Sequence, residues 1–345
     1  MKAGLTAVTT VSGVRMRHRS EIGARTMGSR VTRAAVGSLA LVLTLAACGH
    51  AAAPVTQGDA IQAGRVATTM GARVLGSSAD AQSLTRLTFT AYQGSIRACM
   101  SGKGWTYTPH PLITTPTEWA LIPFDEDVFQ PVDSVTVARD GLGLARDSAF
   151  NWSYAEQDAR AHNPGHPRDE AGQARYGRDV DVCQPAQDSY DLWGRYHVDT
   201  LISAWETARL SVANSAAVRD ALAGYPRCMA EAGFAVESRE QLVRQLKASF
   251  QGPDASVIDP ASAQFKSAAE AEAKASVADA ACRRGAHDVA MVALAAELPQ
   301  FEADHAAELT ASDDLRARLH KDYAAAAAAF ADLQAKALAT VVPPS

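Results

Sequence analysis

Aromatic side chains are scarce in this 345-residue chain, at 6%, and alanine dominates its apolar content. A β-sandwich draws its core from aromatic and β-branched residues, so this composition disfavours one, while small side chains suit closely packed helices. No Cys-x-x-Cys occurs, which removes the usual signature of thiol redox chemistry and of short-spaced zinc ligands. Neither His-Glu-x-x-His nor Gly-x-Ser-x-Gly is present, and Gly141-Leu142-Gly143 has no later glycine or lysine at phosphate-loop spacing. The commoner zinc proteases, serine hydrolases and phosphate-binding loops therefore find no support. No catalytic residue, metal ligand or cofactor site is assigned from the sequence.

A membrane-spanning apolar run is also missing at the amino end. The stretch Ala34 to Ala47 covers 14 residues, short of the roughly 20 that cross a bilayer. It follows Arg30 and Arg33 and closes in Leu45-Ala46-Ala47-Cys48. That order of positive, apolar and small residues before a cysteine resembles a bacterial lipoprotein signal peptide. The resemblance implies a diacylglyceryl group on the Cys48 sulfur and cleavage just before it. Residues 1–47 are then the signal peptide, with Met27 as the expected start. Residues 48–79 read as a lipidated amino terminus and tether, Gly49 to Gly58 being its flexible part. Two acyl chains hold a protein durably, at about 0.8 kcal/mol per buried methylene. The expected address is the outer face of the cytoplasmic membrane.

Basic charge is lacking beyond residue 47. Of 33 basic and 38 acidic residues, seven basic and one acidic lie in the first 47, leaving 26 and 37 and a net −11. This excludes nucleic acid as the natural partner, because such binding rests on neutralising phosphates. It equally disfavours a polybasic hold on anionic lipid.

Apart from Cys48, four cysteines remain: Cys99, Cys183, Cys228 and Cys282. An even number in an exported chain reads as two disulfides, with three possible pairings. A repeat favours one of them. Cys99-Met100-Ser101-Gly102-Lys103-Gly104-Trp105 matches Cys228-Met229-Ala230-Glu231-Ala232-Gly233-Phe234 as C-M-x-x-x-G-aromatic. A lone cysteine follows each, with Asp181 upstream of Cys183 and Asp279 upstream of Cys282. One bridge per half, Cys99–Cys183 and Cys228–Cys282, is the simplest arrangement. Each Cys-Met then sits in the last turn of a helix that the following glycine ends, and the aromatic folds back onto the core.

The Cys48 signal, the two C-M-x-x-x-G-aromatic helix ends and the run Ala278-Asp-Ala-Ala-Cys282-Arg-Arg284 resemble a group of envelope lipoproteins from high-GC Gram-positive bacteria. The resemblance spans most of the chain beyond the signal. It implies an exported address and a helical, disulfide-held fold, and it implies no reaction.

The chain is expected to be mainly α. The picture is a disulfide-stapled helical bundle with a Pro-rich irregular or small β insertion and a long Ala-rich C-terminal helix. Residues 80–200 form the first disulfide repeat and 201–345 the second. Periodicity predicts helices at 80–102, 188–212, 215–232, and from Ser238 to Phe250, where Ser238 opens a capping box. Trp105 to Tyr107 reads as a short strand. Between Pro109 and Asn151 the alternation Val132, Val135, Val137 suggests a hairpin or packed loop. From Ser262 almost to Thr340 a stripe of Met291, Leu294, Leu298, Phe301, Leu315, Leu319, Phe330 and Leu333 predicts helix, broken at Leu298-Pro299, its end projecting as an arm.

Candidate chemistry is thin. His162 and His166 flank Pro164-Gly165, which rules out one helix face holding a metal. His305 lies on the apolar stripe, with His320 and Asp322 further on, and reads as structural. Asp125-Glu126-Asp127 lacks calcium-loop spacing. The leading expectation is a non-enzymatic binding or scaffold module of the envelope, its partners the membrane through the lipid and another envelope protein. The alternatives are a transporter's solute-binding receptor and an envelope enzyme of unrecognised type.

Overall fold

The computed structural model describes residues 55–109, 111–112, 127–160, 167, 169–186, 192–252, 256 and 258–339. Cys48, the signal peptide, Asp125, Glu126, His162 and His166 lie outside the described residues. Among those described, the fold is helical and no strand forms.

Helix α1 (Gln57–Leu75) opens where Thr56 accepts from the Asp59 amide and closes at Gly76, which takes φ 94°. Its inner face is built of Ala60, Ala63, Ala67, Met70 and Val74, all buried. The expected tether is thereby corrected from residue 57 onward, since these residues belong to the core. Helix α2 (Ser78–Gly102) begins in a reciprocal capping box between Ser77 and Asp80. Trp105 to Tyr107 follow it without strand pairing.

The described part of the proline-rich insertion is helical, which corrects the hairpin. A short 3-10 turn (Asp127–Phe129) leads to α3 (Ser134–Asp140) and α4 (Leu144–Arg160). Asp133 caps α3 by accepting from Thr136 N at 2.7 Å. A strand would put Val135 and Val137 on one face, but helical turn separates them: Val135 is 74% exposed and Val137 7%. Helix α5 (Glu170–Cys183) completes the first repeat.

Two predicted helices are each divided. The stretch 188–212 becomes α6 (Trp193–Tyr196) and α7 (Asp199–Ala213). Between them the His197 side chain, not its extended backbone, meets the Trp193 carbonyl at 3.0 Å and stacks on the Trp193 ring. The stretch 215–232 becomes α8 (Ala216–Leu222) and α9 (Tyr225–Glu231). Pro226 sits in the first turn of α9, where its missing N–H costs nothing but where it cannot continue the preceding ladder. Helix α10 (Arg239–Ser249) starts as predicted at Ser238, whose hydroxyl takes the Gln241 amide, while the Gln241 side chain reaches back to Glu237 N.

The carboxyl quarter is two helices, α11 (Ala263–Asp304) and α12 (Ala306–Leu338). Pro299 does not break α11, a further correction. The break falls at His305 (φ −116°, ψ 21°), and hydrogen bonds from His305 N to Phe301 O and from Leu309 N to His305 O carry the ladder across it. Nor does the end project as an arm. α12 packs along α2, with Leu333 and Ala337 buried, Phe89 edge-on to Phe330, and Gln334 bonded both ways to the Leu112 backbone.

α11 is the spine. α1 lies along it, Ala67 against a surface that includes Ala286, Ala290 and Leu294, and the cluster continues through Trp205, Phe301 and Leu309. Facing alanines let two helix axes approach closely, and this is where the small-residue composition is used.

The repeat has one local geometry. In both copies the aromatic amide bonds the Met carbonyl five residues back, Trp105 N to Met100 O and Phe234 N to Met229 O. The glycine amides reach Ser101 O and Ala230 O. Gly104 and Gly233 take φ 81° and 92°. This is the Schellman ending, with the aromatic packed back over Met and Cys. The bridges are Cys99–Cys183 and Cys228–Cys282. A Cβ on Gly233 would meet nothing within 4 Å, so Gly233→Ala tests the backbone alone. It is expected to cost about 1–2 kcal/mol in urea denaturation, from the left-handed conformation that alanine adopts poorly.

Candidate functional site

The most concentrated polar chemistry lies on one stripe of α11, at Glu272, Ser276, Asp279, Arg283 and His287, spaced by three and four residues. Glu272, Asp279 and Arg283 are buried to 3%, 1% and 2% exposure. Buried charges survive only when matched, and here each is. Asp279 accepts from Arg283 at 2.8 Å, from Arg239 at 3.2 Å and from the Tyr225 hydroxyl at 2.9 Å. Burial, then the Asp279 charge, pushes the Tyr225 phenol well above its ordinary value.

The rest of the stripe grips main chain. Arg283 donates to the carbonyls of Gln130 and Pro131, Arg284 to that of Val132, and His287 Nδ1 lies 3.0 Å from that of Val128. Glu272 takes the amides of Leu144 and Ala145 at 2.8 and 2.7 Å, a carboxylate set on the amino end of α4 where the helix dipole favours it. Gly141 (φ 56°) lets the turn between α3 and α4 come close, its Cβ position 3.2 Å from Glu272 Oε1. The Gly141-Leu142-Gly143 run is thus a turn seated on a carboxylate.

A second constellation has the composition of a hydrolase triad. His320 Nε2 lies 2.7 Å from Asp80 Oδ1, and Ser83 Oγ lies 3.5 Å from His320 Nδ1. The carboxylate only accepts, so Nε2 donates to Asp80 and Nδ1 is the nitrogen that faces the serine. The arrangement stops there. Ser83 is buried and its hydroxyl donates to Ala79 O at 2.9 Å. It sits inside α2, where neighbouring amides are committed to the helix and none forms an oxyanion hole. Burial pushes the Asp80 carboxyl up, but hydrogen bonds from Ser77, with His320 adding, hold it below the ordinary value. The group ties the start of α2 to α12.

His305 Nδ1 meets Glu308 at 2.5 Å, and Glu308 accepts from Thr200 at 2.6 Å, at the junction of α11 and α12. Asp322 accepts from the Tyr196 hydroxyl at 2.7 Å. Hydrogen bonding to Asp322, after burial, pushes that phenol up to about 12. In the first repeat the aspartate that serves the bridge is Asp179, not Asp181. It takes Trp105 Nε1 at 2.8 Å and Lys103 at 3.0 Å, while Arg175 lies over the Trp105 ring. The sequence signal for Asp279–Arg283 was their i, i+4 spacing; Asp80 and His320 are joined only by the fold.

Two half-buried imidazoles make stability depend on pH. Burial pushes His287 and His197 below the ordinary 6.5, against the hydrogen bonds their nitrogens make to Val128 O and to Trp193 O and Leu75 O. The unfolded chain therefore takes up these protons first. Their contribution is complete above about pH 6.5 and is lost as pH falls through the lower folded values. Melting temperature is expected to hold steady from pH 8 to 7 and drop below 6.5, and His287→Gln with His197→Gln should flatten that drop.

Among the hollows of the described residues, two are shallow and open to solvent. One, near 390 Å³, is lined by Gln62, Arg65, Val66, Thr69, Met70, Arg73 and Glu302. The other, near 430 Å³, is lined by Gly194, Arg195, Tyr196, Leu315, Arg318 and Asp322. Neither holds the triad-like group or the α11 stripe. Among the described residues no three His, Cys, Asp or Glu are placed to share a metal ion, and no helix is long and apolar enough to cross a membrane. No protein-family model, curated protein or solved structure matches the chain.

Proposed function

We propose that this chain is an exported lipoprotein, held by a diacylglyceryl group on Cys48 at the outer face of the cytoplasmic membrane, and that it works as a non-enzymatic binding or scaffold module of the envelope. The observation that carries this reading is the pair of disulfides stapling helix ends in both halves. Such bridges persist outside the reducing cytoplasm, the compartment to which the Leu45-Ala46-Ala47-Cys48 sequence assigns the chain. The committed state of the buried polar groups supports a rigid presenting body over a reaction centre. A solute receptor would want a deep cleft between lobes. The hollows found are shallow surface depressions.

The test is crosslinking in intact native cells, followed by recovery of the tagged lipoprotein, with Cys48→Ala as the unanchored control. The expected result is one reproducible envelope protein recovered with the anchored form and lost with the control. Recovery of the parent chain in the aqueous phase, with Cys48 unacylated, overturns the anchor. An acylated chain with no reproducible partner overturns the scaffold role.

A further inference from the structure

We infer that the outward side of α1 is the face this body turns to the lipid surface, so that the protein lies along the membrane instead of standing off it. The inference rests on the reading of Cys48 as the lipid-bearing residue. Gln57, the first residue of α1, follows Cys48 by nine positions. Fully extended, that stretch reaches about 30 Å.

The position of α1 makes this short leash restrictive. Gly64 lies beside Met291 and Arg73 pairs with Glu302, so α1 runs parallel to α11 and its amino end falls near the middle of that helix. α11 has 42 residues, which makes it about 63 Å long. Each end of α11 is therefore about 30 Å from the start of α1, the full reach of the leash, and α12 continues beyond the carboxyl end. A helix held at its middle by a leash no longer than its half-length is kept on its side, since standing on either end would take up the whole leash.

The side that carries the leash is suited to a headgroup layer. Ile61 is 51% and Val66 43% exposed, one on each flank of a polar strip formed by Gln62, Arg65 and Thr69. Arg65 has no ion-pair partner among the described residues. The other arginine of α1, Arg73, pairs with Glu302 and Asp313, which leaves Arg65 as the cation of this side in a chain that is net −11 beyond residue 47. Two aliphatic side chains can enter the headgroup boundary while a guanidinium between them meets lipid phosphate. Such a contact is weak in free solution, but the leash keeps it at high effective concentration.

The experiment uses the full acylated lipoprotein in phosphatidylglycerol–phosphatidylcholine vesicles containing brominated lipid. A tryptophan reporter is placed by Ile61→Trp or, separately, Val66→Trp. Gln300→Trp is the control; that exposed position is nine residues from Met291, half a turn round α11 and so on the side away from α1. The added emission at positions 61 and 66 is expected to fall about twofold, and that at 300 to stay unchanged. Equal quenching at all three overturns the inference. So does a reporter at 61 and 66 that brominated lipid leaves bright, whether acrylamide reaches it or a bound protein shields it. The mass of the mature amino terminus separates the two levels: an unacylated Cys48 removes the anchor and the contact together, while an acylated Cys48 with equal quenching removes only the contact.

Discussion

Replacing Cys228 and Cys282 together by serine is expected to lower stability by roughly 4 kcal/mol, the loop-closure entropy that a bridge of this span removes from the unfolded chain. The cysteines are 54 residues apart, and the segment they close contains α9, α10 and the first half of α11. The loss should read as a lower urea midpoint with an increased dependence on denaturant, since the unfolded chain becomes more open. The same result is expected from reducing the parent protein. The effect should be larger than that of Gly233→Ala, which disturbs the same helix end without freeing the loop. A double-serine variant as stable as the parent would mean that the unfolded chain retains this segment's structure without the bridge.

Asp279→Ala is expected to cost about 3–5 kcal/mol, the range found when one member of a buried ion pair is removed. Asp279 is the common acceptor of Arg283, Arg239 and Tyr225, and Arg283 is as buried as its partner. Without the carboxylate, a guanidinium stays in the interior among neutral acceptors such as the carbonyls of Gln130 and Pro131. Asp279→Asn separates charge from hydrogen bonding. It should keep the Tyr225 contact and still cost more than half of what Asp279→Ala costs, because the amide cannot neutralise Arg283. The Tyr225 phenol reports the change directly: its titration should move back toward the ordinary value in Asp279→Asn. A loss under 1 kcal/mol in Asp279→Ala would show that water reaches Arg283 in the variant.

What could be read from the sequence was what is local. The C-M-x-x-x-G-aromatic ends are Schellman motifs, made by bonds that span at most five residues, so glycine and aromatic spacing suffices to announce them. The stripe through Met291, Leu294, Leu298 and Phe301 is likewise a property of one helix, and all four are buried. α1 was hidden because its core face is mostly alanine, interrupted by Gly64 and Gly71, so its periodicity carries little hydrophobic contrast. α3 was hidden because three valines over six residues fit a strand as well as a helix, and the Asp133 cap decided between them. Pro299 misled because a proline excludes only one donor; the turn continues when its neighbours are held by packing, as Leu298 is. The polar stripe of α11 was half visible. Its carboxylates and guanidiniums could be placed on one face, but Glu272 and Arg283 meet main-chain groups more than 100 residues away in sequence, which have no side-chain signature.

The bridges join cysteines that are neighbours in chain order, first to second and third to fourth beyond Cys48. For a polypeptide threaded through a secretion channel amino end first, this order is a timetable. When Cys183 emerges, Cys99 is the thiol already waiting among these four, and it is the right one. By the time Cys228 emerges that pair can be closed, so Cys282 again meets a single candidate. A crossed or nested arrangement would leave wrong partners free during transit and would call for later reshuffling. If the chain is exported as proposed, the correct covalent framework can assemble by first encounter, before the carboxyl half of α11 and all of α12 have left the channel.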